Sequence, residues 1–320
     1  MPLPTAVRIA PDDIVDVLKA SDARLRTEFA SILSDPLAAH RLRKIRGLRA
    51  MIENELVEIE RAGAGWLSEK LPLVFQAGGE STGLRFGWNQ PSRLMFQAVR
   101  DGAYDNLLQA TEYMREDTKR WIGNATRMLA DQGAIEGLSV QDLARRFKEL
   151  GPAAVDARGL PSPVTAIRYA DGSRRTLDTY GEMLFRTTTA TAHNAGVVAT
   201  GATYGVTHYE MSDSDDCGLA SHDDPRKVNG KVYPANIALA HTTSHPGCSR
   251  SLIARTDLIG AGDDVFDVVL PTGNESELAR QLQAAQAQLV AASRRPPRTP
   301  RSPRTGRTPR ARTAPAPSGR

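Results

Sequence analysis

Both cysteines of this 320-residue chain, and three of its six histidines, fall between positions 213 and 248. Cys217, His222, His241, His245 and Cys248 form C-x4-H at one end and H-x2-C at the other, two close pairs separated by a long excursion. Thiolate and imidazole are the ligands zinc takes in tetrahedral sites, and an ion held by both pairs would close the loop between them. Cys217, His222, His245 and Cys248 are therefore the candidate ligands of a structural zinc, with four protein ligands and no open position. Two other readings stay open. Asp213, Asp215, Asp216, Asp223 and Asp224 can satisfy the imidazoles by hydrogen bonds around a buried thiol, with no metal. Alternatively His222 with Asp223 or Asp224 activates water on a phosphodiester, which would make the chain a metal-dependent nuclease. No paired-carboxylate or HNH-like spacing is complete, however. A cysteine hydrolase fits worse, because a catalytic Cys and His usually meet from distant segments whereas His245 and Cys248 are adjacent.

The elements that must position these groups divide into a helical front and a mixed back. Asp12 or Asp13, after Pro11, opens an amphipathic segment with Ile14, Val17, Leu18, Ser21, Leu25, Phe29 and Ile32 on one face. Ile45, Leu48, Ile52, Leu56 and Ile59 predict a second helix, decorated by Arg41, Arg43, Arg46, Arg49, Glu53, Glu58 and Glu60. Gly78 and Gly79 read as a loop, and Pro91 and Ser92 start further helical patterning through Leu94, Val99, Leu107, Tyr113, Trp121 and Met128. A short capped helix follows from Ser139. Residues 1–150 are thus expected to be helical.

Residues 151–293 change character, and the fold class expected is α+β. VTAIRYADGSRRTLD reads as a hairpin turning at Asp171 and Gly172, with Ile167 and Tyr169 inward. Thr179 and Glu182 form a T-x-x-E capping box that launches a long helix carrying an unusual polar stripe: Arg186, Thr187, Thr188, Thr191 and Asn194. Residues 207–212 read as a strand entering the Cys/His segment, Asn229 and Gly230 as a turn, SRSLIART and DVFDVVLP as strands, and Glu275 to Ala292 as a last helix.

Residues 294–320 hold nine arginines, seven prolines and no acid. Removing their nine positive charges from the net +4 leaves the first 293 residues at −5. With no apolar set to form a core, the tail is expected to be disordered, with polyproline II character. Arg298, Arg301, Arg304, Arg307 and Arg310 recur every third residue, which on a three-residue turn lines them along one edge about 9 Å apart. Together with Arg294, Arg295 and Arg312 they suit duplex DNA, whose phosphates they would neutralise with release of counterions. A purely solubilising tail is the alternative. No run of eighteen apolar residues occurs and the N-terminus lacks a basic and apolar leader, so neither a membrane span nor a secretory signal is expected.

The order of motifs carries a resemblance. YADGSRRTLDTYGEMLFRTTTATAHNAG, a strand, SDSDDCGLASHDDPRKVNGKVYP and SHPGCSRSL resemble the minor capsid, or head morphogenesis, proteins of tailed bacteriophages, including the phage Mu F-like group. The similarity spans about residues 90 to 255. Where those proteins lead one to expect HPxCRR or HPxCRC, this chain has Cys248, Ser249 and Arg250, so the residue after the cysteine departs while the basic residue stays. The resemblance implies a low-copy structural protein, and the chain is expected not to be an enzyme, with the nuclease as the alternative. It implies partners in the portal protein and other capsid or scaffold proteins, and a location in the host cytoplasm during assembly and then in the virion, inside the head or at the portal vertex.

Overall fold

A computed structural model describes residues 3–131, 174–213 and 227–260, with short pieces at 142, 145–146, 154–155, 161–162 and 165–168 and residue 284. The class is α+β: mostly helical, with a small antiparallel sheet. The helices are α1 (Thr5–Ile9), α2 (Asp12–Ser34), α3 (Ala38–Glu69), α4 (Leu71–Ser81), α5 (Gln90–Asp131), α6 (Leu177–Thr203) and α7 (Ala235–Ala240). The strands are β1 (Ala154–Val155), β2 (Pro161–Ser162), β3 (Ala166–Arg168), β4 (Arg174–Thr176), β5 (His208–Ser212), β6 (Val232–Pro234) and β7 (Ser251–Ala254). No helix among the described residues is long and apolar enough to cross a membrane. The Asp171–Gly172 turn, DVFDVVLP, the arginine tail and nearly all of the helices expected from Ser139 and Glu275 lie outside the described residues.

Apolar periodicity builds the front. Asp12 and Asp13 sit in the first turn of α2, where carboxylates complement the helix dipole. Ile14, Leu18, Leu25, Phe29 and Ile32 then face the core, but Val17 is exposed and Val15 takes the buried place beside Ile14. The stripe on α3 is buried throughout: Ile45, Leu48, Ile52, Leu56 and Ile59 are each at most 2% exposed. Arg41, expected among the solvent-facing charges, is buried instead and donates from Nε to the Asp35 carbonyl, tightening the α2–α3 connection. Tyr113, expected on the core stripe of α5, is half exposed. Edge-to-face contacts of Phe29 with Trp121 (5.4 Å) and Trp66 with Phe185 (5.1 Å) lock the layers together.

Gly78 and Gly79 are not a loop. They lie near the end of α4 and are buried against α6. A Cβ on Gly78 would collide with the carbonyl oxygen of His193, and one on Gly196 with that of Phe75, so the two helices touch backbone to backbone. Glycine marks a close crossing here, a use that a turn-centred reading of two consecutive glycines overlooks.

Helix α6 is the centre of the molecule. Every residue from Thr188 to Gly201 is buried, and the helix packs on α1, α2, α4, α5, α7 and β7. A helix covered on all sides needs no polar face toward water. Small side chains such as Ala190, Ala192, Ala195 and Ala199 let its neighbours approach. Its start also differs from expectation. The N-cap is Thr176 and not Thr179, because β4 runs directly into the helix; Asp178 receives the Thr179 N–H at 2.7 Å, and Glu182 binds Arg186 at 3.0 Å.

β3 and β4 pair antiparallel, with Ile167 opposite Arg175 and Ile167 buried, as the hairpin reading requires. The three-stranded sheet is antiparallel in the order β6-β5-β7, so β5 is central: Tyr209 pairs with Tyr233 on one side and Ala254 on the other. One apolar core runs from Leu3 to Leu252, continuous across position 150.

Candidate functional site

The described part of the Cys/His segment closes on α6 through polar side chains. Asp213 stands at the end of β5 and Arg250 immediately before β7, so the antiparallel register brings them side by side across 37 residues of sequence. The Arg250 Nε donates to both Asp213 oxygens (3.0 and 3.2 Å), one terminal nitrogen donates to Oδ2 (3.0 Å) and the other to the His241 carbonyl (2.8 Å). Both side chains are almost wholly withdrawn from water, at 0% and 1% exposure. A buried pair of this kind is tolerable because the guanidinium fork matches the carboxylate and the remaining donor finds a carbonyl.

Asn194 on α6 makes the second brace. Its Nδ2 donates to the carbonyls of Thr242 (2.9 Å) and Arg250 (3.0 Å), and its Oδ1 accepts the Leu252 N–H (2.9 Å). One fully buried amide thus holds the loop before β7 and the strand itself against the central helix. Thr187, two turns earlier, donates to the Met183 carbonyl (2.7 Å) and accepts the N–H of Gly247 (3.1 Å). Gly247 needs its lack of a Cβ, since its φ of +76° turns the H-P-G-C segment so that the Cys248 N–H reaches the His245 carbonyl at 3.1 Å. At the sheet's other end, Tyr209 donates to main-chain carbonyls of Val198 and Val206, and burial raises its hydroxyl pKa well above the ordinary phenol value.

The Asn229–Gly230 turn forms, with Gly230 at φ +74°, and it delivers β6 to β5. The Asn229 side chain accepts the Asp213 N–H at 3.0 Å, steadying the residue that receives Arg250.

Of the candidate zinc ligands, Cys217 and His222 lie outside the described residues, and so do Asp215, Asp216, Asp223 and Asp224. Cys248 is buried and His245 half-buried, joined by the turn. The His245 Nδ1 lies 3.0 Å from the Pro246 carbonyl, which can only accept, so this nitrogen is the donor and Nε2 is the one left to face a metal. An imidazole that ligates through Nε2 commonly has its other nitrogen braced by a carbonyl in this way, so the residue fits a metal. Among the described residues no three His, Cys, Asp or Glu side chains gather into a metal-sized group. Asp213, one of the acids expected to satisfy a histidine, is engaged by Arg250. His241 meets the brace through its main-chain oxygen.

His245 also lines a cleft of about 680 Å³ between α5, the β3 strand, the first turns of α6 and residues 243–246. Gln109, Tyr113, Tyr180, Met183 and Ser244 contribute to the walls, and among the described residues no carboxylate, lysine or arginine lines them. The cleft is therefore suited to neutral, partly apolar groups.

No protein-family model, curated protein or solved structure matches this chain.

Sequence reasoning named the side chains of the brace, Asp213, Arg250, Asn194 and Thr187, without joining them. Arg250 stood out as the basic residue kept after the cysteine, Asp213 as one acid among five, and Asn194 as the end of a polar stripe. Polar residues on a helix that is otherwise small and apolar were the available signal, since a buried amide has to find partners somewhere.

Proposed function

We propose that this protein is a structural component of a tailed-phage head, a minor capsid protein that joins the portal and other capsid or scaffold proteins during prohead assembly. Its arginine tail, residues 294–320, touches packaged duplex DNA. The observation that carries the reading is the way the motifs behind the resemblance bind one another. Thr187, next to Arg186 in the R-T pair of α6, holds Gly247 of the H-P-G-C turn; Asn194 of the same helix holds the Arg250 carbonyl; and Arg250, the basic residue after the turn, holds Asp213. Residues dispersed over some sixty positions serve one another's placement. Their hydrogen-bonding capacity goes into shape, which is what a docking component of an assembly requires.

Zinc at Cys217, His222, His245 and Cys248 belongs to this reading as a further structural tie, its role being to fix the segment that begins after Asp213. Metal analysis of protein purified without chelator should return one zinc per chain. Zinc-free protein whose melting temperature ignores chelation removes the metal from the account and leaves the polar brace standing.

Mass spectrometry of gradient-purified virions tests the function itself. Peptides of this chain at a few copies per particle, including peptides from the arginine tail, are expected. Absence from particles that package DNA normally, or degradation of DNA by the purified chain that His222→Ala abolishes without unfolding it, contradicts the proposal and favours the nuclease.

A further inference from the structure

Most arginines on the described helices are occupied. Arg24 binds Glu55, Arg26 binds Asp22, Arg61 binds Glu58, Arg115 binds Glu53, Glu60 and Glu112, and Arg186 binds Asp12 and Glu182. Arg43, Arg46 and Arg49 in the first half of α3 are different. All three are exposed, and among the described residues none has an ion-pair or hydrogen-bond partner.

Their spacing puts them on one side of the helix. Steps of three residues advance about 4.5 Å along the axis and turn about 60° backwards, so the three guanidinium groups fan over roughly 120° and 9 Å. Gly47 and Ala50 lie within or beside this fan; both are exposed, and a Cβ placed on Gly47 would meet open space. The surface between the charges is therefore low, and a backbone can come close to it.

Arg115 reaches Glu53 and Leu107 lies against Gly63, so α5 runs antiparallel to α3, and residues beyond 115 flank α3 before position 53. Lys119 and Arg120 there are neutralised by Glu116 and Asp117. Uncompensated guanidinium groups around small residues form a surface that attracts a chain of phosphates: each fork matches two phosphate oxygens, and a fan reaches phosphates on either side of the helix.

We infer that the first half of α3, through Arg43, Arg46 and Arg49, is a second nucleic-acid contact, binding the phosphate backbone of duplex DNA without reading its sequence. This surface is separate from the tail. It would let the folded body lie against DNA while the tail follows the strand.

The test uses the full chain and a mixed-sequence 30-base-pair duplex, with binding followed by fluorescence anisotropy between 50 and 300 mM salt. Three variants are compared with the parent: R43Q/R46Q/R49Q, a tail variant with Gln at 298, 301, 304, 307 and 310, and the two combined. The substituted side chains on α3 are exposed, so its melting curve should be unchanged. Replacing them should weaken binding at least tenfold at low salt and flatten the slope of log K against log salt by about 2 to 3, near 0.9 for each phosphate no longer neutralised. The same flattening is expected in the tail-neutralised background. An α3 variant that binds like the parent in both backgrounds overturns the inference, and a tail variant that alone abolishes binding then leaves the proposed function intact. An α3 variant that keeps DNA but loses polyglutamate overturns it too, and assigns the face to an acidic protein.

Discussion

The two flanks of helix α6 are built by different chemistry. Toward α4 it presents Gly196 and the His193 backbone to Phe75 and Gly78, and the contact is made by shape alone. Toward the β6-β5-β7 sheet it presents Thr187 and Asn194, and the contact is made by hydrogen bonds that end in a buried ion pair. Shape complementarity tolerates any sequence that leaves room, whereas the polar flank admits one register of β7 against the helix. The first flank gives the molecule a core, and the second fixes where the Cys/His turn sits.

Breaking each flank should show this difference in size. Asp213→Ala strands a buried guanidinium, and equilibrium urea unfolding should show a loss of about 3–5 kcal/mol. Gly78→Ala drives a methyl into a carbonyl oxygen that cannot move without displacing α6, and the same measurement should give about 2–3 kcal/mol. Thr187→Val keeps the volume and deletes the one bond to Gly247. It should cost about 1 kcal/mol and speed hydrogen exchange at that amide, with exchange in α4 unchanged.

The smallest effect belongs to pH. His193 is buried where the flanks meet, its Nε2 has no hydrogen-bond partner among the described residues, and burial holds its pKa below the ordinary 6.5. A base whose folded pKa is depressed supports the fold fully above its unfolded value, and that support is lost as the pH falls below about 6.5 and the unfolded chain takes the proton first. Stability of the parent should therefore decline between pH 7 and pH 5, and His193→Gln should decline less.

The same contrast explains what could be read from the sequence. The stripes on α2 and α3 were legible because each residue's partner in the pattern is three or four positions away; Ile45, Leu48, Ile52, Leu56 and Ile59 are all buried. Strands β5 and β7 were legible for the same local reason. Gly78 and Gly79 misled because glycine signals both a turn and a close crossing, and only the partner helix, more than a hundred residues on, decides between them. The capping residue of α6 shifted to Thr176 because a strand running straight into the helix fixes the start. The brace was legible in its members and not in its pairs. Arg250 and Asp213 meet only once β5 and β7 are in register, and no local rule encodes that register.

The central claim is that Asp213 and Arg250 act as one unit holding the closing sheet in place. A double-mutant cycle of Asp213→Ala and Arg250→Ala by urea unfolding measures it directly. If the two are one unit, the double variant is hardly less stable than either single, with a coupling free energy of at least about 2 kcal/mol. Additive losses would mean that each side chain serves separate partners, and the account of the polar flank would be wrong.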